Sequence, residues 1–118
     1  MKIYHNPRCR KSREGVQYLI DKRLNFEIID YLKEGISEKN LKSILKKLNI
    51  SAIELVRKNE KIWKDNFKGK ELKENEIINI LCKEPKLIER PIIVYNNKAL
   101  IVRPKDNIDK LLWLLTLN

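Results

Sequence analysis

The sequence predicts an α/β domain on a four-stranded mixed sheet flanked by helices, and three observations carry that prediction. The first half alternates short β-prone runs with segments whose apolar residues recur at helical spacing. Near the C-terminal end two β runs are joined by Asn96-Asn97, the signal of a tight hairpin. The composition, 42% hydrophobic and 36% charged over 118 residues, is that of one compact domain. At this length folding buries roughly two thirds of the unfolded surface, enough for one core without disulfides.

The elements follow in order. Lys2-Ile3-Tyr4-His5 is β-prone and is closed by the turn signal Asn6-Pro7. Val16, Leu19 and Ile20 then mark a helix over residues 12–20 that frays near 21–23. Residues 26–31 read as a second strand. Ser37 stands before Leu41, Ile44, Leu45 and Leu48 as the cap of an amphipathic helix, and residues 51–56 start another short one. Residues 58–70 are polar apart from Ile62, Trp63 and Phe67 and read as loop. Trp63, Phe67 and Trp113 read as core or lid packing. Ile77, Ile78, Ile80 and Leu81 define a helix over 74–83 that Glu84-Pro85 stops. Residues 90–95 and 98–103 are the hairpin strands, with a type I′ turn expected between them. Residues 106–117 place Ile108, Leu111, Leu112 and Leu115 on one face, a final helix docked on the sheet. Two βα units, a helical middle, a hairpin and a last helix make the thioredoxin-like arrangement. The expected organisation is one domain, 1–118, with a helical insertion at about 37–84 between strand 2 and the hairpin.

Composition narrows the function classes. The longest unbroken apolar run, 111–115, is far short of the ~20 residues that cross a bilayer. The N-terminal residues turn polar after two apolar ones and lack a signal-peptide core, so a cytoplasmic location and no membrane partner are expected. There is no Gly-rich phosphate loop and no Cys/His spacing for a metal, so none is expected. Lys and Arg number 26 against 16 Asp and Glu, a net charge of +10 that implies attraction to anions. No aromatic alternates with basic residues as a nucleic-acid stacking platform does, so direct nucleic-acid binding would be generic. Seven of the basic residues are Arg, the flat bidentate donor: Arg8, Arg10, Arg13, Arg23, Arg57, Arg90 and Arg103.

The chemistry concentrates at one of the two cysteines. Cys9 follows a strand and precedes a helix, where backbone N–H groups and the helix dipole favour an anion, and Arg8, Arg10 and Arg13 surround it in sequence. Such surroundings lower a thiol from about 8.5 into the range ~3.5 to 7.5, so a reactive thiolate is expected; an inert cysteine filling a turn is the other reading. Ser12 stands where a dithiol oxidoreductase carries its second cysteine. Its hydroxyl is available to the Cys9 sulfur, to a bound oxyanion or to the helix N-cap. Cys82, beside Ile78 and Leu81, is expected to pack in the core, a resolving thiol being the alternative.

The segment His5-Asn6-Pro7-Arg8-Cys9-Arg10-Lys11-Ser12-Arg13 resembles the active-site loop of the glutaredoxin-coupled arsenate reductases of ArsC type: His-Asn-Pro-x-Cys, two residues, then Ser-Arg. Arg90-Pro91-Ile92-Ile93-Val94 is similar to that family's Arg-Pro-Ile-Val signature, Val102-Arg103-Pro104 to its third arginine, and Leu55-Val56-Arg57-Lys58-Asn59 to its Leu-x-Arg-x-Asn. The match spans the chain in order. The resemblance implies a thioredoxin fold in which Cys9 is the nucleophile and Arg57, Arg90 and Arg103 hold an oxyanion. His5, Asn6, Ser12, Arg13 and Pro91 are implied in support, His5 by keeping the sulfur ionised or simply as a packed strand-end residue, and Pro91 by a cis peptide bond facing the cysteine. It further implies no bound cofactor, glutathione as co-substrate and glutaredoxin as partner. Arg10-Lys11 replace the family's usual Gly-Thr and are expected to strengthen the positive field at Cys9. Two other readings stand beside this one. One is a non-catalytic Spx-like regulator that binds RNA polymerase, in which Ser12 replaces the second cysteine of the redox switch. The other is a glutathione-dependent thiol reductase acting on mixed disulfides.

Overall fold

The computed structural model describes residues 1–103 and Lys110. They belong to two compact units, one formed by Met1–Glu34 with the chain from Arg90 onward, the other by Gly35–Glu89. The expected insertion at 37–84 lies inside the second.

The first unit carries the sheet, with strand order β2-β1-β3-β4: β1 (Lys2–Tyr4), β2 (Glu27–Ile29), β3 (Ile92–Tyr95) and β4 (Lys98–Ile101). β1 runs parallel to β2 and antiparallel to β3, and β3 is antiparallel to β4, so the sheet is mixed as expected. Helix α1 (Arg10–Asp21) makes the crossover from β1 to β2. Ile3 and Ile93 face each other in the register and form, with Leu19 of α1 and Val102, a fully buried cluster edged by Val16, Phe26 and Leu100. The stripe α1 buries is Ser12, Gly15 and Leu19, with Val16 half-buried, while Ile20, expected on the apolar face, is 52% exposed. Small side chains on that stripe let the helix axis approach the sheet closely.

Three local expectations change. The second strand ends at Ile29, and Tyr31, expected as its last residue, instead opens the short helix α2 (Tyr31–Glu34), capped by Asp30, whose carboxylate accepts from the Lys33 N–H. The hairpin turn has left-handed backbone at Asn96 (φ 55°) but not at Asn97, which departs from the type I′ geometry that requires both. The last expected helix, 106–117, and with it Trp113, lies outside the described residues except for Lys110.

The second unit is helical. α3 (Glu38–Leu48) starts at Ser37, whose hydroxyl accepts from the Asn40 N–H, and ends at Asn49 in left-handed backbone. It buries Leu41, Ile44 and Leu45 against Ile77, Ile78 and Leu81 of α5 (Glu74–Lys83), a union in which each filled Leu or Ile site contributes about 1.5–3 kcal/mol. A 3-10 turn, Ala52–Leu55, follows α3 and packs on α5, its first N–H held by both Glu74 carboxylate oxygens. Residues 61–66, expected as loop, form α4 (Lys61–Asn66). Six residues are too few for a period to register. This helix exists because Trp63 is buried and stacks at 5.5 Å on Phe67, with a Lys61–Asp65 pair along its exposed side. No helix among the described residues is long and apolar enough to cross a membrane.

Candidate active site

The loop between β1 and α1 is built on Asn6. Its carbonyl accepts the Cys9 N–H at 3.0 Å, its side-chain oxygen accepts the Arg8 N–H at 2.9 Å, and its own N–H donates to the Ser12 hydroxyl at 2.9 Å. Asn6 and Ser12 are both buried, so these bonds are made away from water and hold one loop shape. Pro7 follows, with no N–H to satisfy and a preset φ suited to the turn. Cys9 then takes extended backbone (φ −95°, ψ 124°) as the N-cap, and its carbonyl accepts the first helical bond from Arg13 at 3.0 Å. The cap position belongs to Cys9 and not to Ser12.

Two opposing effects act on the Cys9 thiol. Burial pushes it up; the Ser12 backbone N–H, the hydrogen bond and the charge of Arg90, and the Lys11 backbone N–H pull it down and prevail, so Cys9 titrates below an ordinary thiol. The charged form of the sulfur is thus favoured as a cap is held, by the orphan N–H groups of the first turn, with one guanidinium added. Arg90 is 7% exposed. It stands two residues before β3, and the bond between Arg90 and Pro91 is cis, the geometry the resemblance implied. α1 meets Pro91 at Gly15, where a Cβ would stand 2.9 Å from the proline Cγ. The Pro91 carbonyl accepts the Val102 N–H at 2.9 Å, which sets Arg103 one residue beyond; one Arg103 Nη1 donates to the Val102 carbonyl at 3.3 Å.

The neighbours of Cys9 in sequence play a different part from the one expected. Arg10, 83% exposed along its side chain, pairs with Glu14 one turn on at 3.0 Å, and Arg13 donates to the Pro7 carbonyl at 3.0 Å. Lys11 acts through its backbone, and the charges of Arg8, Arg10 and Arg13 are not among the groups that set the thiol. A helix start fans successive side chains outward at 100° intervals, whereas the sulfur looks along the axis into the N–H groups. His5 is buried, and its Nδ1 has no hydrogen-bond partner among the described residues. Desolvation lowers its pKa below 6.5, Asp30 opposes and Arg13 assists, so at neutral pH the ring is uncharged. It is packed at the end of β1, and it is not among the groups that shift Cys9.

Arg57 belongs to the helical unit. Its backbone N–H donates to the Leu87 carbonyl at 2.7 Å, next to an antiparallel bridge between Val56 and Ile88. Its guanidinium faces two carboxylates: Nη1 lies 3.7 Å from Glu60 and Nε 4.0 Å from Glu89. Cys82 is half-buried on the flank of α5, outside the buried stripe, and burial together with Glu38 pushes its thiol up. It is therefore protonated at neutral pH. Sequence reasoning missed Gly15, Glu60 and Glu89. A glycine inside an amphipathic helix is the one signal that pointed to the first; nothing in the sequence distinguishes the two glutamates from the other fourteen acidic residues.

The chain is similar to known proteins along most of its length. The model of the ArsC family matches residues 4–111. The chain is 41% identical over 110 residues to the uncharacterized protein YfgD of Escherichia coli, covering 92% of each chain. It is 36% identical over 112 residues to the arsenate reductase of Haemophilus influenzae, covering 93% of this chain and 97% of that one. Among solved structures, an arsenate reductase from Vibrio cholerae superposes with a TM-score of 0.85 at 32% identity, covering 93% and 97%.

Proposed function

Because the chain belongs to the ArsC family, we propose that it is an arsenate reductase-like oxidoreductase in which the Cys9 thiolate attacks arsenate or a related oxyanion. The observation that carries this reading is the Cys9 sulfur at the head of a 12-residue helix with the buried Arg90 donating to it, a thiol held below its ordinary pKa. Such a sulfur loses its proton more readily than an ordinary thiol, which favours attack on a pentavalent centre.

In the proposed sequence the thiolate forms a bond to As(V) and hydroxide leaves. Glutathione then attacks the adduct; the two thiols supply two electrons, arsenite leaves, and the mixed disulfide is returned to the Cys9 thiol through glutaredoxin. Arg57, Arg90 and Arg103 are the proposed oxyanion ligands, since each guanidinium matches two oxygens of a tetrahedral anion and stabilises the charge that develops at displacement. Asn6 and Ser12 hold the loop, Pro91 holds Arg90, and Arg13 ties the first turn to Pro7. The reaction depends on a pool of reduced glutathione, which fits a cytoplasmic location.

The test is turnover of arsenate by the purified chain with glutathione and glutaredoxin, against Cys9→Ser. Arsenite release that vanishes in Cys9→Ser is expected, with losses of ~10²- to 10³-fold when a single arginine donor is removed. Absence of any Cys9-dependent turnover of arsenate or a related oxyanion would overturn the proposal.

A further inference from the structure

Arg57 differs from Arg90 in its company. Arg90 lies against a sulfur, whereas Arg57 lies against carboxylates within its own unit: Glu60 Oε1 at 3.7 Å from Nη1 and Glu89 Oε1 at 4.0 Å from Nε. The other Glu60 oxygen lies 3.6 Å from the Lys86 ammonium. Two positive and two negative side chains thus lie close together in this unit.

The distances define the nature of these contacts. Both exceed the roughly 3.2 Å at which N–H···O hydrogen bonds hold a guanidinium in a fixed orientation, so the glutamates act on Arg57 through charge and not by fixing its direction. The side chains of Arg57, Glu60 and Glu89 are 30%, 17% and 23% exposed, sheltered enough for that charge to be felt more strongly than on an open surface. An anion drawn to Arg57 therefore meets the repulsion of two carboxylates with the attraction of the guanidinium. Repulsion scales with the charge of the anion, so a dianion is penalised about twice as heavily as a monoanion.

We propose that Glu60 and Glu89 are specificity-determining residues that neutralise Arg57 and set the site's preference between singly and doubly charged oxyanions. The proposal rests on the reading of Arg57 as an oxyanion ligand and deepens it: the substrate class becomes an oxyanion taken with attenuated charge attraction.

The experiment uses the full chain and two redox-inert probes, sulfate and nitrate, each titrated for protection of Cys9 against alkylation by neutral iodoacetamide. The variants are Glu60→Gln, Glu89→Gln, the charge-retaining Glu60→Asp, and Arg57→Ala. Removing one carboxylate charge is expected to lower the sulfate concentration for half-protection about 5- to 10-fold and the nitrate concentration about 2- to 3-fold, with Glu60→Asp like the parent. A change in shape alone would move both anions together and would not be rescued by aspartate. The inference is overturned if both Gln variants bind sulfate no more tightly than the parent, or if the two anions shift equally. If Arg57→Ala weakens sulfate while neither Gln variant tightens it, this inference falls and the oxyanion reading stands. If sulfate protects neither the parent nor any variant, both fall together.

Discussion

Ser12→Ala presses on the Cys9 loop at a single atom. The hydroxyl is fully buried and accepts the Asn6 N–H at 2.9 Å, and Asn6 is itself 3% exposed. Removing the oxygen leaves a buried backbone donor without that acceptor, which costs about 1–3 kcal/mol. Alanine's better helix propensity returns up to about 0.5 kcal/mol, because position 12 lies in the first turn of α1. With a urea m-value of about 2 kcal/mol/M, the unfolding midpoint should fall by roughly 0.25–1.5 M. The assay is urea unfolding followed by tryptophan fluorescence at neutral pH under reducing conditions. A companion measurement, the pH dependence of Cys9 alkylation, separates two roles for the same side chain. Ser12 acts on the sulfur through its backbone N–H, which alanine retains, so Cys9 should still titrate below an ordinary thiol. An unchanged midpoint would refute the buried-donor argument. Intact stability with a collapse of Cys9 reactivity would show that the hydroxyl serves the sulfur directly.

Three further outcomes are expected. Arg90→Met keeps an apolar stem and removes the guanidinium, so the Cys9 thiol should move up towards its ordinary value in a thiolate-absorbance titration; no movement would remove Arg90 from the thiolate site. His5 has a folded pKa below its unfolded 6.5, so the unfolded chain binds the proton more readily. The stability this contributes is complete above about pH 6.5 and is lost as pH falls through the folded value; urea midpoints measured downward from pH 8 should show that loss in the parent and a flatter profile in His5→Phe. Gly15→Leu forces carbon atoms into the contact where a Cβ already stands 2.9 Å from Pro91 Cγ, an overpacking that costs about 1–3 kcal/mol. A thermal unfolding curve coincident with the parent's would show that α1 and Pro91 are not in tight approach.

Much of the frame was legible because it is local. A strand, an Asn-Pro turn and a helix in succession put Cys9 at a helix head, and that inference needed nothing beyond residues 2–20. The cap of α3 at Ser37, the stop of α5 at Glu84-Pro85 and the Asn96-Asn97 hairpin were read from single positions whose backbone demands are intrinsic to those residue types. Helix α4 escaped that reading, since one buried tryptophan in six residues is a tertiary fact without periodicity. The extension of β2 to Tyr31 failed for a related reason: a β-prone composition does not reveal that Asp30 caps a helix.

The candidate site divides along the same line. The sequence alone determined which thiol is lowered, because a cysteine at the N-cap meets the free N–H groups of its own first turn wherever the rest of the chain goes. Only the tertiary structure decided which charge stands beside it. Arg8, Arg10 and Arg13 are adjacent along the chain yet do not set the thiol, while Arg90, 81 positions away, reaches the sulfur because β3 pairs with β1 and Gly15 leaves room for Pro91. That Arg57 lies near Glu60 and Glu89 was likewise decided by folding, since Glu89 comes to it across the bridge of Val56 with Ile88. Electrostatic energy depends on distance through space, and sequence separation gives no measure of that distance once strands pair.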